Sequence, residues 1–288
     1  MACEHKDASG KKPPRPKNRA RSKKRNAILA LVGGGHNFGI AFGLATLGHL
    51  FIVVRKRSWF FCAFLIGGLL ETAGYIARFV SCSDESALGP FIVQTICILV
   101  APALFAASVY MILGRLILHL NAASISPISP RWLTKIFVGG DVASFLIQVF
   151  GSGMLSNAKT TSTGQTVILI GLIVQILFFG LFMVVTVVFH RRFVQAGMDL
   201  RREPQRRGQI GWKHIIYVLY LVSGLIFVRS VFRLVEYAQG HEGALLSNEV
   251  FLYIFDSVLM LGVMVVLLFY HPTKLLTGRK DDIAFESL

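Results

Sequence analysis

The sequence is poor in charged residues, and this shortage narrows the class of protein at once. Only 16% of its 288 residues are charged, whereas 54% are hydrophobic and the mean hydropathy is +0.61. A water-soluble domain carries about 25% charged residues. Too little polar surface is left to cover a soluble fold of this size. The composition therefore predicts a multispanning membrane protein.

Several catalytic and nucleotide-binding motifs are also missing. No GxxxxGK[ST] phosphate loop occurs, which excludes ATP hydrolysis by that route. The histidines are scattered, without HExxH or HxxxH spacing, and the four cysteines form no CxxC pair. A G-x-S-x-G nucleophile elbow is absent too. We therefore expect no enzymatic activity, no metal site and no cofactor.

Long apolar runs, in contrast, are abundant. Seven segments reach the roughly 17–25 residues that a helix needs to cross a hydrocarbon layer of about 30 Å. We place them at 36–54, 58–80, 89–113, 134–156, 165–189, 214–237 and 248–270. The predicted fold class is an all-α membrane protein, a bundle of seven transmembrane helices. The predicted parts of the chain are a basic, disordered tail (1–35), the membrane domain (36–272) and a short cytoplasmic tail (273–288).

Basic residues indicate the orientation of the spans. Of the 30 Lys and Arg residues, ten lie in the N-terminal tail, sixteen on the side of the odd-numbered loops and the C-terminus, and one in the other loops. The remaining three, Arg78, Arg229 and Arg233, lie within or at the ends of spans. With seven spans, the tail and these loops cannot both be cytoplasmic. The loops constrain several helices, so we expect a cytoplasmic C-terminus and an outer N-terminus. The formal net charge of +15 then reflects topology and not nucleic-acid binding.

One loop is especially basic. Residues 190–213 hold seven Lys and Arg residues immediately beside two spans. This charge either serves topology alone or also contacts anionic lipid of the inner leaflet.

Charged side chains also occur inside the predicted spans, where one unpaired charge costs several kcal/mol. In three spans the polar residues follow the spacing i, i+4 and i+7, which places them on one face of a helix. These sets are Glu71, Tyr75 and Arg78; Arg229, Arg233 and Glu236; and Glu249, Tyr253 and Asp256. We expect the three faces to meet inside the bundle and to form ion pairs. The expected pairs join Glu71 or Glu236 to Arg229 or Arg233.

The fourth span adds two polar residues. Asp141 and Gln148 are seven residues apart, and Gln175 follows in the fifth span. Buried amides of this kind either join helices through hydrogen bonds or contact a ligand. Buried arginine and glutamate pairs likewise fix helix register or take part in function.

We divide the intramembrane residues between these two roles. Structural or gating ion pairs are predicted for Arg78, Arg229, Arg233 and Glu236. Substrate binding is predicted for Asp141, Gln148, Glu249, Asp256 and Glu71. Asp141 and Asp256 have few obvious cationic neighbours and are therefore preferred as ligand contacts. Five acids against three arginines favour a cationic amphiphile over an anionic one.

The same residues carry a family resemblance. The motifs are Glu71-x-x-Gly74-Tyr75-x-x-Arg78, Ala101-Pro102 with Ala106-Ala107-x-x-Tyr110 and Gly114-Arg115, Asp141 with Gln148-x-x-Gly151, Gly171-x-x-x-Gln175, Arg229-x-x-x-Arg233-x-x-Glu236 with Gly240, and Glu249, Tyr253, Asp256 and His271-Pro272. From about Asn37 to Pro272 the chain resembles the fungal RTA-like family of seven-helix lipid-translocating exporters. Before Asn37 the sequence departs from the family pattern.

The resemblance implies a function as well as a fold. It suggests a plasma-membrane or endomembrane protein, with its N-terminus outside, that exports sphingoid long-chain bases or confers resistance to toxic amphiphiles. Its partners would be membrane lipids and an amphiphilic lipid substrate. The alternative is a seven-helix lipid-sensing receptor or stress regulator that acts on membrane composition indirectly.

Overall fold

The fold is known from a computed structural model that describes residues 37–83, 88–154, 160–197, 211–239 and 253–271. These residues form helices and no β-strand, which confirms the predicted all-α class. The helices are α1 (Asn37–Lys56), α2 (Cys62–Ser83), α3 (Leu88–His119), α4 (Pro130–Met154), α5 (Thr161–Gln195), α6 (Trp212–Gln239) and α7 (Leu259–Phe269). A 3-10 turn, Trp59–Phe61, leads into α2, and a π-helical segment, Tyr253–Val258, leads into α7.

The described helices have the length and the surface of membrane spans. Six of them, α1 to α6, are long and apolar enough to cross a bilayer, and the shorter apolar helix Phe255–Phe269 follows. Large apolar side chains face outwards, such as Leu44, Phe150 and Leu177, which are 66%, 69% and 65% exposed. Contact of such a surface with lipid tails costs no free energy, whereas its contact with water is unfavourable. The chain is therefore a multi-pass membrane protein.

The predicted spans coincide with helices, but several helices run further than predicted. The third span was expected to end at 113, whereas α3 continues to His119. Helix α5 spans Thr161–Gln195 and is about 52 Å long at 1.5 Å per residue. Hydropathy marks only the part of a helix that lies in hydrocarbon, and helical hydrogen bonds continue beyond it. Residues 1–36 and 272–288 lie outside the described residues, so the two predicted tails and the orientation remain predictions.

Helix α3 lies at the centre of the described bundle. Its apolar window is 67% buried, compared with 28–44% for the other five long helices. It packs against α2, α4 and α6, and α4 also packs on α5. Helix α1 meets α7 where Gly48 faces the Leu268 side chain. The inward faces of α2 and α6 thus lie beside α3.

Glycines bring α4 and α5 close together. A Cβ atom on Gly151 would lie 2.8 Å from Cγ1 of Ile168 and 2.9 Å from the carbonyl oxygen of Gly164. A Cβ atom on Gly171 would lie 2.7 Å from Cγ of Gln148. Small residues permit such close approach between membrane helices. This close packing lets the long polar side chains of α4 and α5 reach one another.

Candidate functional site

A buried ion pair joins α6 to the π-helical segment. Nη2 of Arg229 lies 2.7 Å from Oδ1 of Asp256, and their side chains are 6% and 3% exposed. Excluded from both water and lipid, each charge is compensated mainly by the other. The pair lies within the set of faces that the sequence predicts to meet.

Arg229 also completes the hydrogen bonding of α3. Its Nη2 group donates a hydrogen bond to the carbonyl oxygen of Ile98 at 3.0 Å. In a regular helix this carbonyl would accept from the N–H group of residue 102, but Pro102 has none. The guanidinium therefore supplies a donor that the proline removes. The Ile98 carbonyl oxygen is therefore not left unpaired although α3 contains a proline.

A second arginine flanks the same carboxylate. Nε of Arg233 lies 3.7 Å from Oδ1 of Asp256, and its Nη1 group donates to Oε2 of Glu236 at 3.0 Å. The predicted pairing of Glu236 with an arginine is confirmed, although within one helix. The prediction that Asp256 has few cationic neighbours is wrong. Two arginines on α6 face it because the last apolar segment packs directly against that helix.

Helix α2 contributes the third face. Glu71 is 1% exposed, and its Oε1 atom has no hydrogen-bond partner within the described residues. It is repelled by the charge of Asp256 and attracted by those of Arg229 and Arg233. The Tyr75 hydroxyl is hydrogen-bonded to the Ser257 hydroxyl, which ties α2 to the π-helical segment. The expected meeting of polar faces is therefore confirmed for Glu71 and Tyr75 of α2, the arginines of α6, and Asp256 of the last span. Glu249 and the Tyr253 side chain lie outside the described part of the structure.

The formal charges of this cluster balance. Its acids are Glu71, Glu236 and Asp256, and its cations are Arg78, Arg229 and Arg233. Within the described residues the count is three acids to three arginines, whereas the predicted intramembrane set holds five acids and three arginines. Asp141 lies elsewhere, and Glu249 is outside the described residues. Among the described residues, this cluster therefore has no surplus of acids that would favour a cationic ligand.

Asp141 forms a separate polar site on α4. The Tyr110 hydroxyl of α3 donates to its Oδ2 atom at 2.8 Å, and Asp141 is 3% exposed. Its Oδ1 atom has no hydrogen-bond partner in the part of the chain that the structure describes. Ser144 does not serve the carboxylate, because its hydroxyl donates to the backbone carbonyl of Asp141. The carboxyl group is therefore only half satisfied.

Two glutamines lie between these sites. Nε2 of Gln148 donates to Oε1 of Gln175 at 3.0 Å, which joins α4 to α5 as predicted for interhelical amides. Beside them is a cavity of about 10 Å³, enough for roughly one water molecule. Its lining residues are Leu99, Gln148, Leu172, Gln175, Arg229, Ser230, Arg233 and Tyr237. The cavity thus connects the glutamine pair to the arginine side of the charged cluster.

The structure also identifies residues that the sequence-based set of sites omitted. Tyr110, Gln175, Ser230 and Ser257 hold or line the polar groups described above, and they lie on α3, α5, α6 and the π-helical segment. Tyr110 and Gln175 belong to the family motifs, and this membership was the indication in the sequence that they form part of a site. Ser230 and Ser257 lie inside apolar runs, and no sequence pattern singled them out. Across the described residues, no group of three or more His, Cys, Asp or Glu side chains could hold a metal ion.

An apolar exterior around compensated buried charges defines a multi-pass membrane protein with a polar interior. The family model for RTA1 like protein matches residues 64–279. The chain therefore belongs to the RTA1-like family, and the resemblance drawn from its motifs is confirmed.

Similar proteins come from Saccharomyces cerevisiae. Protein RTM1 is 37% identical over 223 residues, covering 77% of this chain and 71% of that protein. Protoporphyrin uptake protein 1 is 40% identical over 208 residues, covering 71% and 66%. The sphingoid long-chain base transporter RSB1 is 28% identical over 281 residues, covering 85% and 72%. The chain thus spans about two thirds of the length of these relatives. No solved structure matches it.

Proposed function

We propose that this protein translocates amphiphilic lipids across the bilayer without covalent chemistry, and that its preferred substrates are cationic lipids such as sphingoid long-chain bases. The observation that carries the proposal is the buried charged cluster between α2, α6 and the last apolar segment. Such groups are expensive inside a membrane and mark the pathways of polar species. Similarity to a protein named as a sphingoid long-chain base transporter supports the same function.

In the proposed mechanism, the polar headgroup passes through the interior of the bundle while the apolar tail stays in the lipid. The Arg229–Asp256 and Arg233–Asp256 ion pairs hold α6 against the π-helical segment in the closed form. The adjoining cavity has room for about one water molecule, so these pairs must separate before a headgroup enters. Asp256 then becomes available as a ligand. Glu71, Gln148 and Glu249 are proposed as further contacts along the path.

Asp141 is the proposed contact for the ammonium group. It is an acid that forms no ion pair within the described residues, in contrast to Asp256. The Tyr110 ring that binds it packs against Phe137 and Phe182, with centroids 5.5 and 4.5 Å away. Aromatic faces attract ammonium groups, and the attraction is stronger where water is excluded.

A second candidate substrate is an amphiphile that carries a carboxylate. The charged side chains that line the cavity are Arg229 and Arg233, and the glutamine amides add further donors. This lining suits anionic oxygen atoms better than an ammonium group. The similarity to a protein named for protoporphyrin uptake favours the same class, since protoporphyrin is an amphiphile with carboxylates.

Translocation by the purified protein in liposomes tests the proposal. We expect a fluorescent sphingoid base to cross between leaflets several-fold faster than in protein-free vesicles, and a fluorescent fatty acid to cross more slowly than the base. Faster movement of the acid would select the carboxylate candidate. Neither lipid crossing faster than in protein-free vesicles would contradict translocation and favour a lipid-sensing receptor or regulator. We further propose a cytoplasmic C-terminus, which the basic loops support. The family resemblance supports the plasma membrane as the location, with an endomembrane as the alternative.

A further inference from the structure

Asp141 differs from the other buried acids in how its charge is balanced. Asp256 lies beside two arginines and Glu236 beside one. Asp141 receives one hydrogen bond from Tyr110, and its second oxygen is without a partner in the described part of the chain. A buried carboxylate in this setting needs a cation, whereas a neutral carboxyl does not. With one hydrogen bond and, among the described residues, no arginine beside it, this carboxyl group is therefore more stable in its protonated, neutral form.

The surroundings of Asp141 contain no fixed cation in the described helices. From α3, the titratable group that faces it is Tyr110. From α5, the Phe178 ring lies against the neighbouring Gly140, and Phe179 and Phe182 pack on the Tyr110 ring. On α4 itself, the nearest polar side chain, Ser144, is occupied by the backbone. A negative charge on Asp141 must therefore be compensated by a cation that binds from outside the protein.

We propose that the Asp141 carboxyl binds a proton and the ammonium group of a cationic lipid in turn, so that the protein exchanges one for the other. This inference rests on the proposed function and gives it an energy source, since the sequence has no phosphate loop for ATP. A single carboxyl cannot hold both cations at once. Occupation by one therefore requires release of the other.

The chemical balance of the exchange is simple. The O–H bond of the neutral carboxyl breaks, and its proton leaves to water as the ammonium group forms an ion pair with the carboxylate. On the other side of the membrane the ammonium group leaves and a proton binds again. One positive charge moves in each direction per cycle, and nothing is oxidised or reduced. A proton gradient then drives the lipid.

Proton release from the purified protein tests the exchange directly. The probe is dodecyltrimethylammonium, a quaternary amphiphile whose own charge cannot titrate, added below its micelle-forming concentration to protein in weakly buffered neutral detergent. We expect up to one proton to be released for each protein molecule that binds the probe. The release is measured with a pH indicator, and protein-free micelles serve as the blank. At acidic pH the apparent affinity for the probe should fall about tenfold per pH unit, because each unit is a tenfold change in the competing proton.

Three variants separate the role of the carboxyl from a structural role. Asp141→Asn is nearly the same size but cannot release a proton, so release should be abolished. Asp141→Glu should restore it in part. Tyr110→Phe removes a hydrogen bond to the charged form, and probe binding at neutral pH should weaken about tenfold. Ser152→Ala on the same helix, whose hydroxyl bonds to the backbone of Gln148, is the control and should release protons like the original protein.

The outcomes distinguish this inference from the proposed function. Proton release by the original protein and by Ser152→Ala, but not by Asp141→Asn, supports the exchange. Lipid translocation in liposomes without probe-dependent proton release, or equal release from a folded Asp141→Asn variant, overturns the exchange and leaves translocation standing. If Asp141→Asn does not fold, equal release from Asp141→Glu and from a folded Asp141→Ala variant overturns it as well. Failure of the original protein to translocate any lipid overturns both.

Discussion

At the scale of single residues, the buried carboxylate of Asp256 is held by arginines that come from another helix. Asp256 is bound by Arg229, and Arg229 also donates to the carbonyl that Pro102 leaves without a helical partner. One guanidinium thus satisfies both a carboxylate and a backbone group. Removing one member of such a set leaves the others buried and unsatisfied, which is more costly than removing both.

The Arg229–Asp256 pair gives the first residue-scale prediction. Arg229→Gln and Asp256→Asn should each lower the free energy of unfolding by about 3–5 kcal/mol, because each leaves a buried charge without its partner. The double variant should lose clearly less than the sum of the two. Unfolding by SDS in mixed micelles, followed by helical circular dichroism, measures all three.

Arg131→Gln is the matched control for this cycle, since Arg131 is an exposed cation at the start of α4. It should change the free energy of unfolding by less than about 0.5 kcal/mol. Additive losses in the double variant would show that the two charges do not stabilise one another.

The residue scale also shows where sequence reasoning fails. The spacing i, i+4 and i+7 correctly predicted that Glu71, Arg229, Arg233 and Asp256 share an interior. It could not predict which acid pairs with which arginine, since pairing depends on helix rotation and depth. Counting acids over the whole sequence misled for the same reason, because Asp141 lies in a different site from Asp256.

At the scale of elements, helix packing sets the positions of the polar side chains. Gly151 and Gly171 bring α4 and α5 together, and this contact allows Gln148 and Gln175 to bond at 3.0 Å. Glycines in apolar runs are recognisable in a sequence, but which of them face another helix is not. Gly151 faces α5, whereas Gly153, two residues later, has nothing within 4 Å of its Cβ position.

This contrast predicts opposite effects for two alanine substitutions on one helix. Gly151→Ala should lower the free energy of unfolding by about 1–3 kcal/mol, because the new methyl group meets Ile168 and the backbone of Gly164. Gly153→Ala should raise it by about 0.4–1 kcal/mol, because it only restricts the unfolded chain. The SDS titration in mixed micelles measures both. Equal effects of the two substitutions would contradict the packing of α4 on α5.

The π-helical segment Tyr253–Val258 is the element that no pattern in the sequence predicts. It presents Asp256 to α6 and Ser257 to Tyr75 on α2. Such segments are rare and occur often at functional sites, because the extra residue per turn changes the direction of the side chains. Periodicity at 3.6 residues assumes a regular helix and therefore cannot detect it.

At the scale of the whole molecule, composition and hydropathy were enough to predict an all-α membrane bundle. Seven apolar runs can be recognised in the sequence because a span in lipid needs a nearly continuous apolar segment of a known length. The central position of α3 was not predictable, since burial inside protein and burial in lipid select similar residues. Large apolar side chains such as Phe150 on α4 and Leu177 on α5 face outwards, and equally apolar residues such as Phe105 and Leu113 are buried on α3.

The described helices leave little space around the buried ion pairs. The cavity next to Arg229 and Arg233 holds about 10 Å³, and the neighbouring ion pairs are nearly inaccessible. A lipid headgroup is much larger than one water molecule. Translocation therefore requires helix movements that open this region and separate buried pairs, which predicts slow access to it in the absence of substrate.

Access to the cavity is the most direct test of the central claim that a lipid headgroup passes through the bundle interior. Ser230 lines the cavity and is 5% exposed, so Ser230→Cys places a thiol on the path in a protein whose native cysteines are replaced by alanine. We expect a charged methanethiosulfonate reagent to modify it slowly, and a saturating sphingoid base to slow the reaction several-fold further. A Gly153→Cys variant, exposed on the outside of α4, should react at a rate that the lipid does not change. Modification of Ser230→Cys that is equally fast with and without lipid, in protein that still translocates the lipid, would contradict the account.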